Sequence, residues 1–239
     1  MNYYYITGTS RGIGRAMVEY LLSDERNHVT GISRSGGIKH ERYRHIPMDL
    51  SDPLAVKEFR FETHKQAQRI CLINNAGAIG QVKPAGRLSN EQLIADFNLN
   101  LVAPGLLMNN FIAAYRDVAA EKIIVNVSSG AGKYPIDGWS VYCSAKAGLD
   151  MFSRVVDAEQ KTTAPYGFRV FAIAPGVVET QMQTDIRQAS REDFSRLSDF
   201  INYKSTGQLA DPRLVAEKYF HILANQNSIP EVVLSVKDY

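Results

Sequence analysis

Residues 3–22 read YYYITGTSRGIGRAMVEYLL: a β-prone run, a glycine-rich turn, then a segment with helical spacing. Tyr3–Thr7 is aromatic and β-branched without polar alternation, the pattern of a short strand buried on both faces, and Gly8 stops it. Ile13, Met17 and Leu21 fall on one helical side, with Val18 and Leu22 beside them. The alternation continues down the chain. Strands are predicted at His28–Ser33, Tyr43–Pro47, Ile70–Asn74, Lys122–Val127, Phe168–Ala174 and Glu231–Val236. Helices are predicted at Asp52–Gln68, opened by an Asp cap and a Pro in the first turn, at Asn90–Ala119 with a join near Pro104, at Val141–Lys161 and at Asp211–Asn225. Val177–Leu209 is the least regular long stretch and is expected to cover a ligand crevice. Strands apolar on both faces and separated by helix-length segments specify an α/β fold, a mostly parallel sheet with helices on both sides. No Gly/Ser/Pro linker and no internal repeat divides residues 1–239, which read as one domain.

The turn GTSRGIG places Gly8, Gly12 and Gly14 where the first strand becomes the first helix. Glycine there permits a tight turn and the close approach of a diphosphate to backbone N–H groups at the helix start. Gly8, Ser10, Arg11, Gly12, Ile13 and Gly14 are therefore candidate dinucleotide contacts; a purely structural turn is the alternative. The second strand ends in ISRS, residues 32–35, with no acidic residue to take a ribose 2′-hydroxyl. Arg34 and Ser33, with Arg11 from the other side, can instead hold a 2′-phosphate, because a guanidinium offers a rigid fork of donors. That favours NADP(H) over NAD(H); a solvated surface arginine is the alternative at either position. Asp49 is placed to accept from an adenine amine or to cap a helix. In the run NNAG, Asn75, Ala76 and Gly77 let a nucleoside pack against the backbone, or form a simple strand–turn junction.

Residues 128–148, SSGAGKYPIDGWSVYCSAKAG, follow the strand Lys122–Val127. Ser129 is thereby put at the carboxyl edge of the sheet, where ligands of such folds bind. Tyr142 and Lys146 are four residues apart in a predicted helix and share a face. An ammonium near a phenol lowers its pKa and makes it a usable acid–base. Tyr142 can then protonate a carbonyl oxygen that gains negative charge, while Ser129 holds the same oxygen; hydride must come from a nicotinamide. Taken singly, each residue has a plain reading: a half-buried tyrosine, a snorkelling lysine, a turn-capping serine. Serine hydrolysis would need a histidine base, and the five histidines at 28, 40, 45, 64 and 221 fall outside the predicted crevice loops. No histidine–carboxylate cluster has metal-ligand spacing, so no metal is expected.

Composition narrows the partners. A net charge of +2 without like-charge blocks gives no reason to expect a nucleic-acid groove or an anionic membrane partner. Two cysteines, Cys71 and Cys143, without ligand spacing read as reduced thiols and suit a cytoplasmic setting. No basic–apolar leader and no membrane-length apolar run is apparent.

On these residues the chain resembles the classical short-chain dehydrogenase/reductase family: Gly8, Gly12 and Gly14; Asn74–Gly77; Asn100; Ser129, Tyr142 and Lys146; and PGVVET from Pro175 to Thr180. The resemblance implies a Rossmann-like doubly wound sheet of seven strands. It implies Tyr142 as general acid–base, Lys146 as the ribose-binding partner that lowers its pKa, and Ser129 as the residue orienting the carbonyl. It makes Asn100 the holder of a relay water and Asn75 a cofactor contact. Pro175, Gly176, Val177, Val178 and Thr180 become the loop that receives the nicotinamide. Family subunits pair through two long central helices, which implies a homodimer, with a tetramer as the larger option. The longer runs Val127–Gly148 and Ala174–Gln183 resemble members that reduce one carbonyl of a vicinal diketone, with broader ketone and pteridine reductases as neighbours. Tyr134, Trp139 and Met182 are the candidate walls for such a small carbonyl substrate, with core packing as the alternative. The ending Ser228–Tyr239 departs from the family by lacking its glycine-rich terminus.

Overall fold

The computed structural model describes residues 1–163 and 167–239. Seven strands form one sheet: β1 (Asn2–Thr7), β2 (Asn27–Ser33), β3 (Tyr43–Pro47), β4 (Arg69–Asn74), β5 (Glu121–Val127), β6 (Arg169–Ala174) and β7 (Val233–Ser235). Their order is β3-β2-β1-β4-β5-β6-β7, and every pairing is parallel. The helices are α1 (Gly12–Leu22), α2 (Pro53–Glu58), α3 (Asn90–Phe97), α4 (Ala103–Tyr115), α5 (Ser140–Lys161), α6 (Gln181–Arg187), α7 (Leu197–Ser205) and α8 (Pro212–Ala224). The strand order reverses between β1 and β4, which opens a crevice beyond their carboxyl ends.

The strands lack apolar–polar alternation because both faces are covered. Tyr4, Ile6, Cys71, Ile73, Val125 and Phe171 pack with Met17, Val18, Tyr219 and Ile222 of α1 and α8. Tyr5, Ile70, Leu72, Ile124 and Val170 point the other way, toward Leu107, Phe111 and Leu149 of α4 and α5. A third apolar cluster lies outside these two layers, where Trp139 and Tyr142 meet Ile186, Phe194, Leu197 and Phe200.

Two expectations change, and the join expected within Asn90–Ala119 is found. The helix predicted over Asp52–Gln68 ends at Glu58, although Asp52 caps it by accepting from the Leu54 N–H at 2.9 Å. Phe59 turns to extended backbone, and the Phe61 ring then packs edge-on against Tyr5 at 4.9 Å and Phe111 at 5.0 Å. Aromatic burial outweighs helix continuation there. The long segment Asn90–Ala119 is two helices joined by a π-helical turn over Asn98–Val102, just ahead of Pro104. The stretch read as irregular, Val177–Leu209, contains α6 and α7, whose short apolar faces close the third cluster.

Candidate active site

The glycine turn is shaped by contacts across the crevice. Gly8 and Gly12 adopt φ of +72° and +58°, a region L side chains avoid. Gly14 is helical, but a Cβ there would lie 2.3 Å from the Gly8 carbonyl oxygen and 2.4 Å from the Asn75 amide nitrogen. Asn75 donates from Nδ2 to the Thr7 and Gly8 carbonyls at 2.9 and 3.2 Å. The N–H groups of Asn75 and Ala76 both donate to the Thr7 hydroxyl at 2.9 Å. Thr7 and Asn75 thus lock the end of β1 to the end of β4. No acidic residue occupies the first turn of α1, so its N–H groups face no competing carboxylate.

Beyond this turn lies a cleft of about 1920 Å³. Gly8, Ser10, Arg11, Gly12, Ile13, Ser33, Arg34, Asp49, Asn75, Ala76 and Gly77 line one part of it. Ser129, Tyr134, Trp139, Tyr142, Lys146, Pro175, Gly176, Val177, Val178, Thr180 and Met182 line the rest. Gly14 and Asn100 do not reach it: Gly14 packs behind the turn, and Asn100 is fully buried in the π turn. Asn100 donates to the Ala78 and Asp96 carbonyls at 3.0 and 2.9 Å and accepts from the Ala78 N–H at 3.2 Å. Asn98 points elsewhere, to the Ser51 carbonyl. At the β2 end, the Ser33 hydroxyl donates to the Ser35 carbonyl at 2.9 Å, while Arg34 is exposed. Asp49 accepts from the Ser51 N–H and hydroxyl at 2.9 and 2.7 Å, and these bonds hold its carboxyl below the usual range. It closes a turn, and the α2 cap is Asp52 instead.

Ser129, Tyr142 and Lys146 converge in the middle of the cleft. Ser129 ends the β5 segment and accepts from the Ala131 N–H at 3.2 Å, which turns the chain away from the sheet. Tyr142 and Lys146 both lie on the buried face of α5. Burial pushes the Tyr142 phenol up to about 12, and a hydrogen bond with Ser129 pulls it the other way. Lys146 is pushed down to about 8 by burial, with Asp150 opposing. Its Nζ donates to the Val127 carbonyl at 2.8 Å and stands 5.7 Å from the centre of the Tyr142 ring. Desolvation of the phenol sets the direction of its shift here.

The short chain dehydrogenase family model matches residues 2–191. The chain belongs to the short-chain dehydrogenase family. It is 36% identical to benzil reductase ((S)-benzoin forming) of Bacillus cereus, over 95% of each chain. It is 31% identical to sepiapterin reductase of Mus musculus, over 91% of this chain and 90% of that one. Among solved structures, a short-chain dehydrogenase/reductase from Saccharomyces cerevisiae, YIR035C, superposes with a TM-score of 0.83 at 24% identity, over 99% and 96% of the two chains. The fold is thus shared over nearly the whole chain, and the family model over residues 2–191.

Within this dehydrogenase several neighbours of the site escape sequence reading. Ser128 donates a short hydrogen bond to the buried Asp150. That bond ties the β5 end to the turn of α5 following Lys146. Asn74 donates to Asn126 at 2.9 Å, and Asn126 to the Ser153 hydroxyl at 2.8 Å, a buried polar chain beneath the cleft floor. Ile186, Phe200 and Tyr203 also line the cleft. Their signal was weak because α6 and α7 are short and carry many polar residues. Thr7 had a usable signal: a hydroxyl ending a buried strand directly before the glycine turn.

Proposed function

We propose that the protein is an NADP(H)-dependent reductase that converts one carbonyl of a vicinal aromatic diketone, such as benzil, into the hydroxyketone. The observation that carries this reading is the meeting of Ser129, Tyr142 and Lys146 in the cleft that opens beyond the glycine turn, with the Tyr142 phenol buried and pushed up to about 12. A phenol with that pKa keeps its proton at neutral pH. Carbonyl reduction needs a proton donor at this position.

The residues fit a nicotinamide dinucleotide. The positive-φ glycines and the space kept free at Gly14 let a diphosphate approach the α1 N-terminus. Arg34 and Arg11 are the residues for a 2′-phosphate, and no ion pair occupies either among the described residues. Pro175–Val178 and Thr180 would face the nicotinamide ring. When bound, the nicotinamide supplies hydride. Ser129 orients the substrate oxygen, Tyr142 hands it a proton, and Lys146 binds the neighbouring ribose. Asn100 fixes the Ala78 backbone beside Gly77 and supports the proton path from the protein side. The benzil reductase relative supports the diketone substrate. The aromatic wall around Trp139 supports it independently. Exposed Met151, Phe152 and Val155 on α5 support a homodimer paired through the central helices.

Purified protein is expected to oxidise NADPH faster than NADH when given benzil, followed by cofactor absorbance with chiral analysis of the product. Tyr142→Phe should lower kcat at least a hundredfold and leave NADPH binding within a few-fold. Absence of turnover across diketones and simple ketones, with NADPH bound, would reject the enzyme reading.

A further inference from the structure

The cleft is lined by a series of aromatic rings, each in contact with the next, that begins at Tyr142. Trp139 stands edge-on to Tyr142, with ring centres 5.8 Å apart. Phe200 lies 5.4 Å beyond Trp139, and Tyr203 lies 5.6 Å beyond Phe200. All four residues line the cleft. Trp139 and Phe200 are only 6% and 7% exposed, so most of each ring packs in the third apolar cluster and only a margin of it borders the cleft.

The wall is held in place. Phe194 stacks behind Trp139 at 5.4 Å with 20° between the planes. Asp137 accepts from the Ser195 N–H and hydroxyl at 2.7 and 2.9 Å, which anchors the chain just before α7. Lys204 at the other end of α7 pairs with Glu179 at 2.6 Å. A wall fixed from both ends selects by shape at little ordering cost.

We propose that Phe200 and Tyr203, with Trp139, form an aryl subsite that holds the ring attached to the non-reacting carbonyl. This rests on the carbonyl-reductase reading. A vicinal diketone with its reacting oxygen at Ser129 and Tyr142 carries its second substituent on the adjacent carbon. The ring series places π faces along the path that substituent takes, and rings pack there in offset or edge-on contact. A substrate with only methyl substituents fills the space at Tyr142 and does not extend to Phe200. Phe200 and Tyr203 are thus specificity-determining residues, without a part in proton or hydride transfer.

Trp139 is the only tryptophan in the chain, so its fluorescence reports on the subsite directly. The experiment compares wild type, Phe200→Ala, Phe200→Leu, Tyr203→Ala and Tyr203→Phe, with circular dichroism to select folded variants. Steady-state reduction of benzil is set against that of butane-2,3-dione, and benzil is titrated against tryptophan emission with and without NADP⁺. The two alanine variants should lose at least tenfold in kcat/KM for benzil and less than threefold for butane-2,3-dione. Tyr203→Phe should match wild type, and Phe200→Leu should fall between. Benzil should quench Trp139 in wild type, and the alanine variants should need higher concentrations. Equal losses on both diketones, no loss on either, or emission indifferent to benzil would overturn the subsite. Quenching that weakens in the alanine variants, in a wild type that reduces neither diketone, would uphold the subsite while rejecting the reductase reading.

Discussion

At the scale of single residues, the site is a set of groups taken out of water. Lys146 shows what that costs. An unfolded lysine keeps its proton up to its ordinary value of 10.5, whereas the buried Lys146 releases it near 8. Between those values the unfolded chain binds more protons, so the penalty is full below pH 8 and disappears as pH rises toward 10.5. At 1.36 kcal/mol per pK unit it is on the order of 3 kcal/mol. Lys146→Met should therefore be more stable than wild type at pH 7, with the gap closing through pH 8–10.5, as read by denaturant midpoints across pH. A gap that stays constant with pH would reject the buried-charge account. Ser129, Tyr142 and Lys146 were legible as residues because their spacing has a chemical meaning. Their protonation was not legible, since it depends on burial that only the packed fold supplies.

At the scale of elements, the glycine turn and its partner at β4 act as one unit. Gly14 is the sharpest test. Alanine favours a helix over glycine by about 1 kcal/mol, yet its Cβ would strike the Gly8 carbonyl at 2.3 Å. Gly14→Ala should lower stability by about 1–3 kcal/mol and weaken nucleotide binding at least tenfold, measured by thermal melting and calorimetric titration. Gly130→Ala, with no atom within 4 Å of its Cβ position, is the control expected to leave the melting temperature near wild type. Strand and helix identities were largely readable here, because doubly buried strands leave unbroken apolar runs. The early end of α2 was not: Phe59 and Phe61 suit a helix locally, and only the distant rings of Tyr5 and Phe111 draw them out of it. The π turn at Asn98–Val102 was equally hidden, since its buried Asn100 bonds to Ala78, a partner far away in sequence.

At the scale of the whole molecule, a sheet with two apolar faces carries a separate cap of α6, α7 and Trp139 over its carboxyl edge. The cap is fastened by few polar links. Asp137→Ala removes both bonds to Ser195, so the Ser195 amide should exchange hydrogen at least tenfold faster, while the melting temperature moves by only a few degrees. Exchange at wild-type rate would show that the cap is held without Asp137, by the third apolar cluster and the Arg87–Asp193 and Lys204–Glu179 pairs. The lock between Thr7 and the Asn75–Ala76 backbone has a further consequence, in the time order of folding. The partners are 68 and 69 residues apart, and β1 lies between β2 and β4 in the sheet. Closing so long a loop is slow, because its entropy must be lost before any contact compensates. On a ribosome, the glycine turn emerges well ahead of β4 but gains its shape only after β4 has left the exit tunnel. Until then β1 has β2 on one side and an open, tyrosine-rich edge on the other, free to pair with the wrong neighbour.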